Sequence, residues 1–163
     1  MKTIDELVKA LQKDYSKNIL REPSDQNLTD YQIFMENNNI VGWEGFFCPE
    51  DNNYQDCFNQ LKKEDVVFDI GAGDLRFDLI MLKKVKKVYA IEIDPTILGP
   101  ALKVIGFSKP ANLIVINGNG FDFEIPNDVT VITCLMIHRK HEIVIPPFKK
   151  LIAYSKENNN YDY

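Results

Sequence analysis

The sequence predicts a single α/β domain, a mostly parallel sheet flanked by helices and entered through a helical N-terminal segment. Three observations predict it. The chain has 163 residues, 45% hydrophobic and 26% charged, which is enough apolar material for one buried core and too little chain for two ordinary ones. From Val66 onward, short apolar runs alternate with helical patterns, the sequence form of successive strand–helix–strand units. Between the first such run and the first such helix stands Asp69-Ile-Gly71-Ala-Gly73, where glycines permit a tight turn out of a strand.

The elements follow in order. Thr3-Ile-Asp-Glu6 has capping-box spacing, and Ile4, Leu7, Val8 and Leu11 recur on one face, so a first helix starts there. A second stripe, Leu28, Tyr31, Phe34 and Met35, predicts a helix that stops at Asn37-Asn38-Asn39. Residues 41–49, with Trp43, Phe46 and Phe47, are aromatic without a period and read as a loop laid over the rest. Tyr54, Cys57, Phe58 and Leu61 mark a third helix by their spacing. Residues 1–63 are therefore expected to form a helical cap and lid, 64–156 the core and 157–163 a frayed polar tail. Strands are expected at 66–70, 87–93, 113–117 and 129–135. Helices are expected at 75–84 and 95–105, the second interrupted at Gly99-Pro100, because proline removes an N–H donor and disfavours helix just before it. Beyond residue 135 two readings stand: a short helix over 137–145 with a fifth strand over 148–154, or an irregular end.

Charge and composition narrow the function classes. A formal charge of −5 gives no general attraction to phosphate backbones and argues against a broad DNA-coating surface. Lys83, Lys84, Lys86 and Lys87 form the one dense basic cluster; at an expected helix end they read as solvated cations that suit the dipole. No run approaches the about eighteen apolar residues of a membrane span, and the first residues alternate charge with apolar side chains, so the expectation is a cytoplasmic protein without membrane contact. Cys48, Cys57 and Cys134 make no C-x-x-C pair and are expected as free thiols, with no metal site.

The chemistry concentrates at the first turn. Its glycines let backbone approach a ligand, and the helix that follows is expected to offer unpaired N–H groups and a positive dipole end, which suits an anionic or nucleotide-like ligand. Nineteen residues beyond Gly73, the second strand ends in Glu92-Ile93-Asp94-Pro95, placing a carboxylate where it can accept both hydroxyls of a ribose. Asp94 also suits a helix N-cap with Pro95 at the first helical position. A dinucleotide would need a third glycine where Arg76 stands, so NAD is disfavoured.

These residues together resemble the class I S-adenosylmethionine-dependent methyltransferases, over about 66–135. The resemblance implies a Rossmann-like fold with S-adenosylmethionine as cofactor. It implies that Asp69 and the backbone of Gly71, Ala72 and Gly73 hold the methionine end, that Glu92 binds the ribose and that Ile93 packs on the adenine. Asn119, in Asn117-Gly-Asn119-Gly-Phe121, stands where the family often carries an acid that bonds the adenine amino group. Phe121 either stacks on the ring or packs in the core. Three departures stand out. Leu75 replaces a further glycine. No sixth or seventh strand is evident, so the C-terminal part of the sheet is expected to be shortened, leaving an edge for a second copy or a partner subunit. Thr133-Cys134-Leu135-Met136 does not match the Asn/Asp-Pro-Pro-aromatic motif of amino-base methylases, which lowers exocyclic base amines as acceptors. Thr133 and His138 are the weak catalytic candidates; His138 titrates near neutrality, and a surface or capping role stands beside that reading. The order of motifs looks like the small archaeal-type protein-lysine methyltransferases and is compatible with RNA methylases. The expected activity is methyl transfer to a protein side chain or an RNA. The alternative is a non-catalytic binding module on the same fold.

Overall fold

A computed structural model describes residues 1–18, 52–135 and 149–154. The helix expected around 28–35, the loop 41–49, the helix expected at 137–145, His138 and the polar tail lie outside those residues. The chain opens with helix α1 (Ile4–Asn18), whose capping box forms: Thr3 N–H donates to Glu6 Oε2 at 2.7 Å and Glu6 N–H to Thr3 Oγ1 at 3.3 Å. Helix α2 (Asn52–Gln60) leads into β1 (Val66–Ile70), α3 (Arg76–Met81), β2 (Lys87–Glu92), α4 (Pro95–Ile105), β3 (Leu113–Asn117), β4 (Val131–Leu135) and β5 (Lys150–Tyr154).

The strands form one sheet in the order β3-β2-β1-β4-β5, and every pairing is parallel. Strand alternation sends Val67, Val88, Leu113 and Val131 to one face, where Leu7, Cys57, Leu79 and Leu98 of the helices meet them. Phe68, Ile70, Ile91 and Ile132 go to the opposite face, with half-buried Phe121 and Ile125 packed against them. Those two come from the β3–β4 connection, which contains only a 3₁₀ turn at Gly120–Asp122. With both faces covered, strands read as continuous apolar runs, which is why they were legible. The order reverses direction between β1 and β4, and at such a switch point the carboxyl ends of the strands diverge and open a crevice.

Several expectations are corrected. Helix α3 begins at Arg76, not Leu75, because Leu75 is left-handed at φ 68°, and its last turn tightens through Lys83 N–H to the Ile80 carbonyl and Lys84 N–H to that of Met81. Helix α4 runs unbroken through Gly99-Pro100, its buried stripe of Ile97, Leu98, Ala101 and Ile105 spanning both sides of the proline. Strand β2 stops at Glu92, whose side chain turns to the following loop, and β4 begins at Val131 after a turn closed by Val129 N–H on the Pro126 carbonyl. Beyond residue 135 the fifth strand expected over 148–154 is present at Lys150–Tyr154.

Candidate functional site

Three residues in the turn after β1 are left-handed: Gly71 at φ 85°, Gly73 at φ 59° and Leu75 at φ 68°. Gly71 and Ala72 N–H groups both donate to the Ile91 carbonyl, at 2.8 and 3.0 Å. Gly73 N–H donates to Glu92 Oε2 at 2.8 Å, while Asp94 N–H donates to Glu92 Oε1 at 2.8 Å. Arg76 N–H donates to Asp74 Oδ1 at 3.2 Å, and its Nε donates to Asp74 Oδ2 at 2.7 Å. The expectation of unpaired amides at this helix start is therefore corrected for Gly73 and Arg76: the chain's own carboxylates take them. Leu75 is the one non-glycine residue with positive φ among the described residues, a conformation costing about 1–2 kcal/mol. Its side chain is fully buried, and that burial, worth about 1.5–3 kcal/mol, offsets the strain.

Four buried carboxyls surround the turn. Asp69, 4% exposed, accepts from the Thr133 hydroxyl at 2.5 Å and shares the helix-covered face with Asp78. Burial pushes Asp69 up to about 6, against the Thr133 bond, with the charge of Glu92 adding to the rise. Asp78, 0% exposed, is pushed well up by burial and then by the charge of Asp69. Burial raises Asp74 against the Arg76 guanidinium, and it raises Glu92 against the amides of Asp94 and Gly73. Cys57 is also pushed up, by burial and then by Asp69, so it is an inert thiol and not a nucleophile.

The rim of the crevice is built by β2 and β3. Asn117 Nδ2 donates to the Glu92 carbonyl at 2.8 Å, and Gly118 N–H donates to the same oxygen at 2.9 Å. This ties the two strand ends together and leaves Ile93 65% exposed, a placement suited to packing on a planar ligand. Asn119 Oδ1 accepts from Phe121 N–H at 3.2 Å, so the oxygen expected to meet an adenine amino group also holds a turn. Phe121 is half-buried against the second core cluster.

Thr133, one of the two weak catalytic candidates, is fully buried and donates its hydroxyl to Asp69. The Asp69 carboxyl, engaged by Thr133, links β1 to β4 just before the turn. Sequence reasoning missed the Asp74–Arg76 pair, Asp78 and Gly120. The signal for the first two was charge inside an otherwise apolar helical stripe. Gly120 left no local signal: a Cβ there would lie 2.7 Å from Ile70 Cγ2. Among the described residues no group of three or more His, Cys, Asp or Glu could hold a metal ion, and no helix is long and apolar enough to cross a membrane.

A five-stranded parallel sheet with a glycine turn after β1 and a carboxylate ending β2 is the architecture of the class I S-adenosylmethionine-dependent methyltransferases. Within that class the chain belongs to the ribosomal RNA adenine dimethylase family, whose profile matches residues 52–149. It is 35% identical over 86 residues to the probable ribosomal RNA small subunit methyltransferase A of Methanosarcina barkeri, covering 52% of this chain and 29% of that protein. It is 40% identical over 76 residues to an uncharacterized protein of Methanocaldococcus jannaschii, covering 44% of this chain and 28% of the other. The chain thus spans less than a third of the length of these curated relatives. A solved dimethyladenosine transferase from Plasmodium falciparum is 26% identical, covers 50% of this chain and 29% of that one, and superposes with a TM-score of 0.42.

Proposed function

We propose that this chain is an S-adenosylmethionine-dependent methyltransferase domain whose methyl acceptor is RNA. The observation that carries it is Glu92. Each of its oxygens accepts one backbone N–H, from Gly73 or Asp94, which leaves acceptor capacity on both for two neighbouring hydroxyls. When bound, S-adenosylmethionine supplies a methyl group already activated on a sulfonium, so the protein's work is orientation and exclusion of water. Gly71 and Gly73 allow close approach of backbone without side-chain bulk. Ile93 offers an apolar face, while the Ile91 carbonyl and the Glu92 carboxylate hold the turn.

Family membership favours RNA over a protein side chain as acceptor. The four-residue mismatch at Thr133–Met136 weighs less than a family profile spanning residues 52–149.

Titration calorimetry of wild type and Glu92→Gln against S-adenosylmethionine tests the cofactor half. Losing a charge-assisted bond worth about 1.5–3 kcal/mol should weaken binding at least tenfold. Unchanged affinity would place the ligand elsewhere. Transfer of labelled methyl to ribosomal RNA tests the rest; label appearing only in protein would overturn the RNA reading.

A further inference from the structure

Lysines far apart in sequence come together at one edge of this fold. A parallel sheet gathers the amino ends of its strands on one side, and here four of the five strands are entered through lysine: Lys62 and Lys63 before β1, Lys86 before β2, Lys109 before β3 and Lys150 opening β5. Bonds between the segments fix them as a row. Lys86 N–H donates to the Asp65 carbonyl at 2.9 Å, Asn112 Nδ2 to the Lys86 carbonyl at 3.1 Å and Lys150 Nζ to the Gln60 carbonyl at 3.3 Å. At about 4.8 Å between strands the row is on the order of 20 Å long.

All five side chains are exposed, and none is paired with a carboxylate among the described residues. Lys83 and Lys87, by contrast, are neutralised by Asp5 and Asp128. Asp65, an acid within the row, accepts from the Thr130 hydroxyl and from Lys62 N–H. Helix C-termini also gather at this edge and attract cations, which accounts for Lys150 on the last carbonyl of α2. Lys62, Lys63 and Lys86 also follow helix ends, but their ammonium groups bond nothing among the described residues and stay open to a partner. The five lysines outnumber the acids Glu64 and Asp65 beside them, whereas the whole chain carries −5.

We propose that the amino-end row is a second RNA contact, holding the phosphate backbone of the RNA whose methyl acceptor enters over the carboxyl ends; this rests on the RNA reading above. Lysine suits the task, since an ammonium on a flexible stem meets phosphates as a point charge and reads no sequence. A five-residue strand is about 17 Å long, short enough for one folded RNA to reach both ends.

The test is fluorescence anisotropy of a labelled RNA hairpin binding to the full chain over a range of salt concentrations. Wild type is compared with a Lys62→Gln, Lys63→Gln, Lys86→Gln variant and with a control of equal charge on α1, Lys9→Gln, Lys13→Gln, Lys17→Gln. The edge variant should bind at least tenfold more weakly at low salt. Its log–log salt slope should shrink by about two, at 0.7–0.9 per lost phosphate contact. Its melting temperature and its affinity for S-adenosylmethionine should match wild type, and the control should bind RNA as wild type does. An edge variant that binds RNA normally overturns the proposal and leaves the RNA reading standing, as does a control that loses as much. A wild-type chain that binds S-adenosylmethionine and no RNA overturns both.

Discussion

The two ends of this sheet use charge in opposite ways. At the carboxyl ends of β1 and β2, Asp69, Asp74, Arg76, Asp78 and Glu92 are buried, and those whose bonds are described are committed to partners that shape a turn. At the amino ends the lysines reach solvent in whole or in part, and those that bond meet backbone carbonyls or acids at the surface. Burial decides the difference. A charge removed from water costs stability unless its partners are in place, so it can hold a geometry. A solvated charge holds little, but it remains available to a partner outside.

Cutting the buried ion pair should show the largest effect. Arg76 is 1% exposed and supplies the guanidinium that faces the buried Asp74 carboxylate. Arg76→Met should therefore cost about 3–5 kcal/mol of unfolding free energy, because it leaves an uncompensated charge inside. Urea denaturation measures it. A cost under about 1 kcal/mol would mean the turn is as permissive as a surface loop, and the contrast between the two ends would fail.

Asp69→Asn should act next, and through pH. With a pKa pushed up to about 6, the folded state keeps the Asp69 proton to higher pH than the unfolded chain, where the ordinary value is about 3.9. This contribution is present in full below about pH 4 and is lost as pH rises through about 6, up to about 3 kcal/mol in all. The groups facing Asp69 are Cys57, Asp78, Glu92 and Thr133, and asparagine can still accept from Thr133. The variant lacks this loss, so its stability relative to wild type should improve between about pH 4.5 and pH 7.5. A difference independent of pH would show that Asp69 titrates as an exposed aspartate does.

How much of this was legible beforehand follows the range of the forces involved. β1 lies at the expected residues because a parallel strand buried on both faces is a local apolar run, and β3, an edge strand only half-buried, still carries such a run. The capping box of α1 and the Asp94 cap of α4, whose Oδ1 accepts from Thr96 N–H at 2.8 Å, needed only neighbours along the chain. Glu92 was found by its distance from the glycine turn, but its bond to Gly73 was not, since a ligand-binding carboxylate and a turn-bracing one look alike in sequence. Thr133 stands opposite Asp69 through the register of β4, which its neighbours along the chain do not give. The lysine row was hidden for the same reason. Lys62, Lys86, Lys109 and Lys150 belong to four separate segments, and only the strand order makes them neighbours.

The smallest effect should come from the amino end. Lys87 Nζ meets Asp128 Oδ2 at 3.2 Å with side chains 29% and 50% exposed, and the ammonium also lies over the Tyr89 ring, 4.1 Å from its centre. Asp128→Asn keeps an acceptor for the Tyr89 hydroxyl, which reaches Asp128 Oδ1 at 3.0 Å, and removes only the charge. Water and salt already screen that charge, so the loss should be under about 1 kcal/mol and should fade at high ionic strength. If the urea midpoint instead moves as far as it does for Arg76→Met, the amino end is braced by its charges just as the carboxyl end is. Neutralising Asp128 also frees Lys87 at the end of β2, so the same variant should bind RNA slightly more tightly at low salt, a gain that disappears as salt is raised.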